Sequence, residues 1–532
     1  MNLLDPLYGV FLLTLVGIYW YYGRFRPAVK LDFSQAGSGS QLSDDRPSES
    51  TQDLRLWILC FASLIFYSLL QIEYIPFLLF MTFLNFQLGK IMEVRSRGSF
   101  QPQYSRLSNQ EWEQMQQVWN NRATQLLIFG VGLNVILLLG FKYLPFLLDT
   151  IAIVLNFPVA SQSADWIGDR LIAPLGISFF TFECIAYLID IYRGAPATKS
   201  FLKFASYKLF FPKLISGPIT RFHQFINQFR EIKYPSPEQF SEGAWLIAQG
   251  AIKKALIADR LGIFVDLCFG SLERAGSGDL WLAVLTYGLQ LYFDFSGYVD
   301  IARGSAMFLG FNLPQNFDFP YFTTSIASFW RRWHITLGDW LRNYLYFPLG
   351  GSRKSLKRTC LNLFIIMLIA GIWHGAAWGF IVWGCLHGLA LMIHRLVESY
   401  SKNNPDLKAW WQTIPGTIFA WFSTQLFVFL AWIFFRLPNV QDAFFVFSHF
   451  FGYVGDIQFT TKVYSDVLGM GRSDLILLLT ALLSGMGIAY FIQRGLKLQL
   501  NWNLKLILVP VCLFSVWILA PEGGLRYIYF DF

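Results

Sequence analysis

Long apolar runs that alternate with short polar connectors form the main pattern of the chain. The runs at residues 56–70, 123–140, 361–378 and 475–492 each approach the ~20 residues that a helix needs to cross the hydrocarbon of a bilayer. Runs of this kind predict roughly ten to twelve spans. The pattern therefore predicts an all-α fold, a polytopic integral membrane helix bundle, with residues 1–532 forming a single membrane-embedded domain.

Two segments near the start of the chain need separate treatment. Residues 33–53 are rich in Ser, Gly, Gln and Asp, so they have little apolar area to bury and predict a disordered cytoplasmic loop. Residues 1–23 have the length of a signal peptide, but they lack a basic start and a small-residue cleavage site and they carry Asp5. We therefore expect a retained first helix.

Composition and charge agree with lipid as the solvent. The chain is 55% hydrophobic, 18% aromatic and 14% charged, whereas soluble domains have about 25% charged residues. The formal charge is +8, but the basic residues lie in short connectors, for example Arg24, Arg26 and Lys30, which argues against nucleic-acid binding. By the positive-inside rule these connectors are cytoplasmic, which predicts a multi-pass cell-membrane protein with an extracytoplasmic N-terminus.

The middle of the chain differs from its ends because charged residues interrupt its apolar runs. Lys253, Lys254, Asp294 and Asp300 are the main examples. An ionisable group at membrane depth is costly, so such residues usually face a cavity, a partner or the water boundary. We therefore take residues 243–389 as the expected functional core.

Two of the six histidines are candidates for chemistry. His334 lies in residues 328–342, where Trp, Leu and Arg recur at three- and four-residue steps, which predicts a helix at the membrane interface. His374 follows an apolar run that begins at Leu361, and small residues follow it at 375–377. An intramembrane histidine is either functional or a packed core residue that donates to a backbone carbonyl, and the residues themselves leave both possibilities open.

A lone imidazole without a metal or an acidic partner can act as a general base near neutral pH. Acyl transfer from a thioester to an alcohol needs such a base, because the donor is already activated and the hydroxyl must lose its proton. No G-x-S-x-G motif accompanies the histidines, which argues against an acyl-enzyme hydrolase. His387 and His394 could share a helix face, but no Cys or carboxylate completes a ligand set, so we predict no metal site.

The sequence around these histidines resembles the signature blocks of the membrane-bound O-acyltransferase family, and most of all its bacterial alginate O-acetyltransferase branch. The main blocks are residues 290–297, 316–321, 329–334, 340–351 and 371–376. The resemblance extends through residues 141–143, 174–179, 190–193, 211–218, 432–436 and 527–530. It therefore covers nearly the whole chain except residues 33–53.

This resemblance implies a ring of helices around a thinned centre, with His374 as the catalytic residue and His334 in a supporting role. We also predict substrate contacts for several residues near the two histidines and for one residue in the block at 290–297. They are Trp333, Trp373, Arg331, Arg332, Arg342, Asn343 and Asp294. The arginines could equally anchor lipid headgroups. Asp294 could instead bond to a helix end or pair with Arg303.

Two departures from the family pattern affect these expectations. The family usually has Asp after Trp-Leu-Arg, and this chain has Asn343, which puts an ion pair of Arg342 in doubt. Arg303 occupies a position expected to be apolar, three residues after Asp300, and this helical spacing predicts a structural ion pair between them.

The sequence therefore predicts a membrane O-acyltransferase that moves an acyl group, expected to be acetyl, from a cytoplasmic thioester to a hydroxyl of an extracytoplasmic polysaccharide or an intermediate carrier. We expect no bound cofactor, with acetyl-coenzyme A or an acylated carrier protein as the donor substrate. The expected partners are membrane lipid and a separate extracytoplasmic acyltransferase. The alternatives are a transporter of a polysaccharide or lipid-linked substrate, which commonly shows repeated halves that this chain lacks, and a noncatalytic scaffold.

Overall fold

The structure is a computed structural model that describes residues 4–22, 49–96, 109–168, 170, 172–229, 233–521 and 523–528. The chain is helical and has no β-strand within these ranges, which confirms the predicted all-α class. Residues 33–48 of the predicted loop lie outside the described residues, and residues 49–53 begin the second helix.

The described residues form 23 α-helices. The first twelve are α1 (Pro6–Tyr22), α2 (Glu49–Gln71), α3 (Ile75–Ser96), α4 (Asn109–Lys142), α5 (Leu144–Leu155), α6 (Pro158–Gly168), α7 (Ile177–Tyr192), α8 (Phe201–Lys208), α9 (Phe211–Leu214), α10 (Phe222–Gln228), α11 (Pro237–Ala251) and α12 (Asp259–Phe269). The next eleven are α13 (Ser277–Phe308), α14 (Ile326–Arg332), α15 (Ile335–Leu341), α16 (Leu356–His374), α17 (Trp378–Lys402), α18 (Pro405–Trp410), α19 (Ile414–Arg436), α20 (Val440–Ser448), α21 (Ile457–Thr460), α22 (Arg472–Tyr490) and α23 (Trp502–Leu519). A π-helix, Ile252–Ala258, joins α11 to α12, and another, Arg342–Tyr346, follows α15.

Seven helical segments within the described residues are long and apolar enough to cross a membrane. They are Gln52–Glu93, Asn120–Lys142, Leu356–His374, Trp378–Lys402, Ile414–Arg436, Arg472–Gly495 and Trp502–Leu519. The protein is therefore a multi-pass membrane protein, as predicted. Seven candidate spans are fewer than the roughly ten to twelve predicted from the sequence. Part of the difference is that Pro6–Tyr22 and Leu144–Leu155 are apolar but shorter than a candidate span.

The predicted first helix is present as α1. Asp5 precedes it, and its carboxylate accepts a hydrogen bond from the backbone N–H of Leu7 at 2.9 Å. A carboxylate at this end of a helix satisfies a free N–H group and interacts favourably with the helix dipole. Asp5, which argued against a signal peptide, thus has a structural role at the start of α1.

Contacts divide the chain into two compact units. The first consists of residues 1–141, 172–243 and 302–313, and the second of residues 142–171, 244–301 and 314–532. The expected functional core, residues 243–389, lies in the second unit except for Gly243 and residues 302–313.

The first unit contains a buried ionic cluster. Glu183 accepts hydrogen bonds from Lys213 at 2.6 Å, from Lys208 at 3.2 Å and from the backbone N–H of Thr220 at 3.1 Å. All four residues are buried. A carboxylate with this many donors can remain ionised out of contact with water, so the cluster ties α7 to α8 and to the segment that follows α9.

The second unit contains a tight antiparallel pair, α16 and α17, joined by residues 375–377. A Cβ atom added at Gly371 would lie 2.4 Å from the carbonyl oxygen of Phe380 and 2.9 Å from Cα of Gly384. A Cβ atom at Gly388 would lie 3.1 Å from Cα of Phe364. Glycine is required at such positions because the two backbones approach more closely than any side chain would allow. This approach sets the position of His374 at the end of α16.

Candidate active site

His374 is the last residue of α16, and this position gives the imidazole its surroundings. Gly375 follows with an extended backbone (φ −170°, ψ 157°), so the helix ends at His374. The sequence predicts that His374 follows an apolar run that begins at Leu361, and the structure places it at the end of the candidate span Leu356–His374. The imidazole is thus held beside the short turn between α16 and α17.

Aromatic rings enclose the His374 side chain, which belongs to a residue that is only 2% exposed. The ring centroid of His374 lies 4.9 Å from that of Trp373, 5.1 Å from that of Trp383 and 5.0 Å from that of Phe435. These three rings come from α16, α17 and α19. The arrangement keeps bulk water away from the imidazole.

His334 lies in the same aromatic cluster. Its ring centroid is 6.2 Å from that of Trp373 and 4.9 Å from that of Phe295, and the residue is fully buried. The structure therefore brings His334 and His374 to one shared neighbour, Trp373. His334 is outside the seven candidate spans, and burial lowers the pKa of its imidazole to about 3, so the ring is neutral at neutral pH.

The single interfacial helix predicted for residues 328–342 is wrong. Helix α14 ends at Arg332, Trp333 is extended, and His334 has a left-handed backbone (φ 44°) before α15 begins. Asn316 stabilises this break, because its side-chain oxygen accepts from the backbone N–H of Thr336 at 3.0 Å. A positive φ is uncommon for a residue with a Cβ atom and is a form of strain found at functional sites.

Trp333, a predicted substrate contact, lies inside the cluster. Its ring stacks on Phe329 at a centroid distance of 5.6 Å and meets the ring of Trp432 at 5.0 Å. Trp373 thus meets both histidine rings, whereas Trp333 joins the cluster through Trp432, whose ring lies 5.2 Å from that of Phe435.

Arg331, Arg342 and Asn343 contact residues on the same or the preceding helical segment. Arg331 donates to the carbonyl oxygen of Ala327 at 3.2 Å and is exposed, whereas Arg332 is half-buried. Arg342 pairs with Asp339 at 2.7 Å, and Asn343 donates to the carbonyl oxygen of Asp339 at 2.6 Å. Arg342 thus forms its ion pair with a residue three positions earlier, despite the Asn343 substitution that put such a pair in doubt.

Asp294 takes part in a buried ion-pair network. Its Oδ1 accepts from Lys254 at 2.7 Å and its Oδ2 from the backbone N–H of Ile528 at 3.0 Å. Lys254 also pairs with Asp259 at 2.7 Å. These contacts attach the segment around Ile528 to α13 and to the π-helix, and the ion-pair partner of Asp294 is Lys254, not the Arg303 that the sequence suggested as an alternative. Asp300 pairs with Lys253 at 2.5 Å, a partner that the helical spacing to Arg303 did not indicate.

Several residues of the site were not assigned a role from the sequence. Lys142 donates to the carbonyl oxygens of Trp373 and His374 at 2.9 and 3.1 Å. It belongs to the family-like block at residues 141–143, which was the only signal available. Phe435 likewise belongs to the family-like block at residues 432–436, whereas Trp383 lies outside the family-like blocks.

His387, the weak metal candidate, is a buried member of the aromatic cluster. Its Nδ1 accepts a hydrogen bond from the indole N–H of Trp330 at 3.3 Å, and its ring centroid is 4.7 Å from that of Trp383. Because an indole nitrogen can only donate, the proton of a neutral His387 lies on Nε2. Among the described residues, no group of three or more His, Cys, Asp and Glu side chains has the geometry to hold a metal ion.

Comparison with known proteins gives a consistent result. The sequence model of the membrane-bound O-acyltransferase family matches residues 61–435, a range that includes both histidines. The chain is 36% identical to a probable alginate O-acetylase, AlgI, of Pseudomonas putida, over 80% of this chain and 81% of that protein. It is 34% identical to a peptidoglycan O-acetyltransferase of Helicobacter pylori, over 80% of this chain and 79% of that protein. It is 29% identical to a teichoic acid D-alanyltransferase of Streptococcus thermophilus, over 54% of this chain and 70% of that protein.

Proposed function

The chain belongs to the membrane-bound O-acyltransferase family, and on this premise we propose that it transfers an acetyl group from a cytoplasmic thioester to a hydroxyl of an extracytoplasmic polysaccharide or of an intermediate carrier. That the protein is an O-acyltransferase follows from the family. The acetyl group is supported by relatives whose names describe O-acetylation of alginate and of peptidoglycan. The acceptor polymer of this chain is part of the proposal.

The observation that carries the proposal is the position of His374. Its imidazole lies at the end of α16, against Trp373, Trp383 and Phe435, and inside the region that matches the family. Attack of an alcohol on a thioester requires a base that removes the hydroxyl proton as the new bond forms. We assign that role to His374.

The proposed reaction has two steps, addition of the hydroxyl to the thioester and loss of the thiol. The hydroxyl oxygen of the acceptor attacks the thioester carbonyl carbon, and His374 takes the hydroxyl proton as the carbonyl π electrons move to oxygen. The tetrahedral intermediate then collapses, the carbon–sulfur bond breaks, and the departing sulfur receives the proton from His374. The products are an O-acyl ester and a free thiol, and the imidazole returns to its neutral form.

The aromatic enclosure supports this chemistry in two ways. It limits access of water, which would otherwise hydrolyse the thioester, and it removes the imidazole from competing hydrogen bonds with solvent. His334 lies just before α15 and contacts Trp373 of α16. It would orient the reactants or hold one end of the acyl donor. Trp333 and Trp373 would contact the substrates, and Arg331, Arg332 and Arg342 would meet anionic groups of a donor or of lipid.

The donor, the partner and the orientation are also proposals. Acetyl-coenzyme A and an acetylated carrier protein both supply a thioester from the cytoplasm, and the basic connectors favour a cytoplasmic position for the loops that would meet them. A polymer outside the cell membrane would receive the acetyl group directly or through a separate extracytoplasmic acyltransferase.

The test is transfer by the purified protein in lipid nanodiscs. Radiolabelled acetyl-coenzyme A or acetylated carrier protein is supplied, and label in polysaccharide is counted. We expect His374→Gln to lower the turnover by about 10²- to 10⁴-fold, the contribution of a positioned general base. His449→Gln is the matched control, because His449 packs on Phe445 and Tyr453, and it should retain activity.

Cell-surface polymers provide the second readout. Mass spectrometry of the polymers from cells that carry the parent chain or His374→Gln should show loss of the acetyl group with unchanged polymer export. Unchanged acetylation with altered export would instead favour the transporter and would contradict the proposal.

A further inference from the structure

The end of α16 presents backbone carbonyls that need hydrogen-bond donors. The last four carbonyls of any α-helix have no N–H partner within the helix. Because α16 ends at His374 and the chain then becomes extended at Gly375, the carbonyls of residues 372, 373 and 374 belong to this group. Trp373 and His374 are buried, so water is a poor source of donors for them.

Two consecutive residues, Lys142 and Tyr143, supply these donors. Lys142 Nζ donates to the carbonyl oxygen of Trp373 at 2.9 Å and to that of His374 at 3.1 Å. The hydroxyl of Tyr143 donates to the carbonyl oxygen of Ile372. Three successive carbonyls of α16 are thus bound by two successive side chains, and the ammonium group also lies at the negative end of the helix dipole.

From this geometry we propose that Lys142 is a positioning residue for acyl transfer, which holds the backbone of His374 and thereby the place of its imidazole. The inference rests on the proposed function, in which His374 is the general base. A final helical residue followed by glycine frays readily, because nothing in the helix itself restrains its carbonyl. The Lys142 ammonium bonds to that carbonyl and removes this freedom.

A small displacement of His374 would matter because reaction requires near-attack geometry. A misplacement of about 1 Å can lower the rate by about 10²-fold even when the chemical groups are intact. The aromatic contacts of His374 restrain the ring from the sides, and the Lys142 contacts restrain its backbone from the helix end. Loss of Lys142 should therefore affect the chemical step more than substrate binding.

The test compares Lys142→Met with Tyr143→Phe in nanodiscs. Lys142→Met keeps an unbranched apolar stem, one atom shorter, but removes both hydrogen bonds, and we expect kcat to fall by about 10²-fold with little change in KM. Tyr143→Phe removes one hydrogen bond from the same helix end without touching the carbonyl of His374, so kcat should change much less. Lys142→Arg retains a cation with donors for both carbonyls and should restore a large part of kcat.

Amide hydrogen exchange in residues 368–380 gives a readout that does not depend on activity. We expect faster exchange there in Lys142→Met than in Tyr143→Phe or Lys142→Arg. If the parent protein transferred no acetyl group, the proposed function would fail, whereas the exchange comparison would still show whether Lys142 restrains the helix end. The inference is overturned if Lys142→Met keeps the parental kcat, raises KM alone, or leaves the exchange unchanged. Equal losses of kcat in Lys142→Met and Tyr143→Phe would overturn it as well, because they would reveal general destabilisation.

Discussion

Phe435 meets His374 with a ring-centroid distance of 5.0 Å and an interplanar angle of 73°. The preceding residue on α19, Phe434, is equally buried but packs on Phe447 at 5.5 Å. Two neighbouring phenylalanines thus differ in one respect that matters for chemistry, which is contact with the candidate base.

This difference leads to a prediction about water. Phe435→Ala should open the enclosure of His374, so that donor hydrolysis rises several-fold relative to transfer. Phe434→Ala should lower stability by a similar amount, about 3–5 kcal/mol for a buried Phe, without changing that ratio. Free thiol and acylated acceptor, measured together in one reaction, give the ratio. Equal ratios in the two variants would mean that Phe435 does not exclude water from the reaction.

The second prediction distinguishes the role of the His334 imidazole from the role of its backbone conformation. His334→Asn removes the ring but keeps a residue that tolerates a positive φ, so folding should be retained. We expect kcat to fall by about 10²-fold, the effect of losing an orienting group. The unfolding midpoint should remain near that of the parent. A variant with the parental kcat would show that His334 serves only the turn between α14 and α15.

The third prediction concerns the buried ion pairs of the second unit. Lys254→Met leaves Asp294 and Asp259 buried without their cation, and we expect a loss of about 3–5 kcal/mol in the free energy of unfolding. Lys253→Met is the adjacent control. Its ion pair with Asp300 is partly exposed, so the loss should be about 1 kcal/mol or less. Chemical unfolding in detergent micelles measures both, and similar losses would contradict the assignment of Lys254 as the buried member.

The fourth prediction tests the close approach of α16 and α17. Gly371→Ala places a methyl group 2.4 Å from the carbonyl oxygen of Phe380, so the helices must separate. We expect a loss of about 1–3 kcal/mol together with lower kcat, because His374 lies on the displaced segment. Gly485→Ala is the control, since a Cβ atom there would have no heavy atom within 4 Å. Its thermal midpoint and activity should equal or slightly exceed those of the parent. Equal losses in the two variants would show that the close approach of α16 and α17 does not position His374.

Local patterns accounted for much of the fold. The apolar runs at residues 361–378 and 475–492 anticipated most of α16 and of α22, because span length and hydrophobicity are properties of a continuous segment. The first run did not reveal that α16 ends at His374 and that residues 375–377 separate it from α17. The break at His334 was missed for a physical reason. Its stabilising partner, Asn316, lies 20 residues before Thr336, whose backbone N–H it binds, and a periodicity of three to four residues carries no information about such a contact.

The sequence by itself determined the all-α class, the first helix, and the two histidines with their aromatic neighbours Trp333 and Trp373 as candidates. Only the tertiary structure decided which side chains surround them. Lys142 reaches the carbonyl of His374 across 232 positions, and Asp294 pairs with Lys254 across 40. The physical reason is that periodicity determines which face of a helix is apolar, whereas the packing of distant helices determines which buried polar group meets which partner.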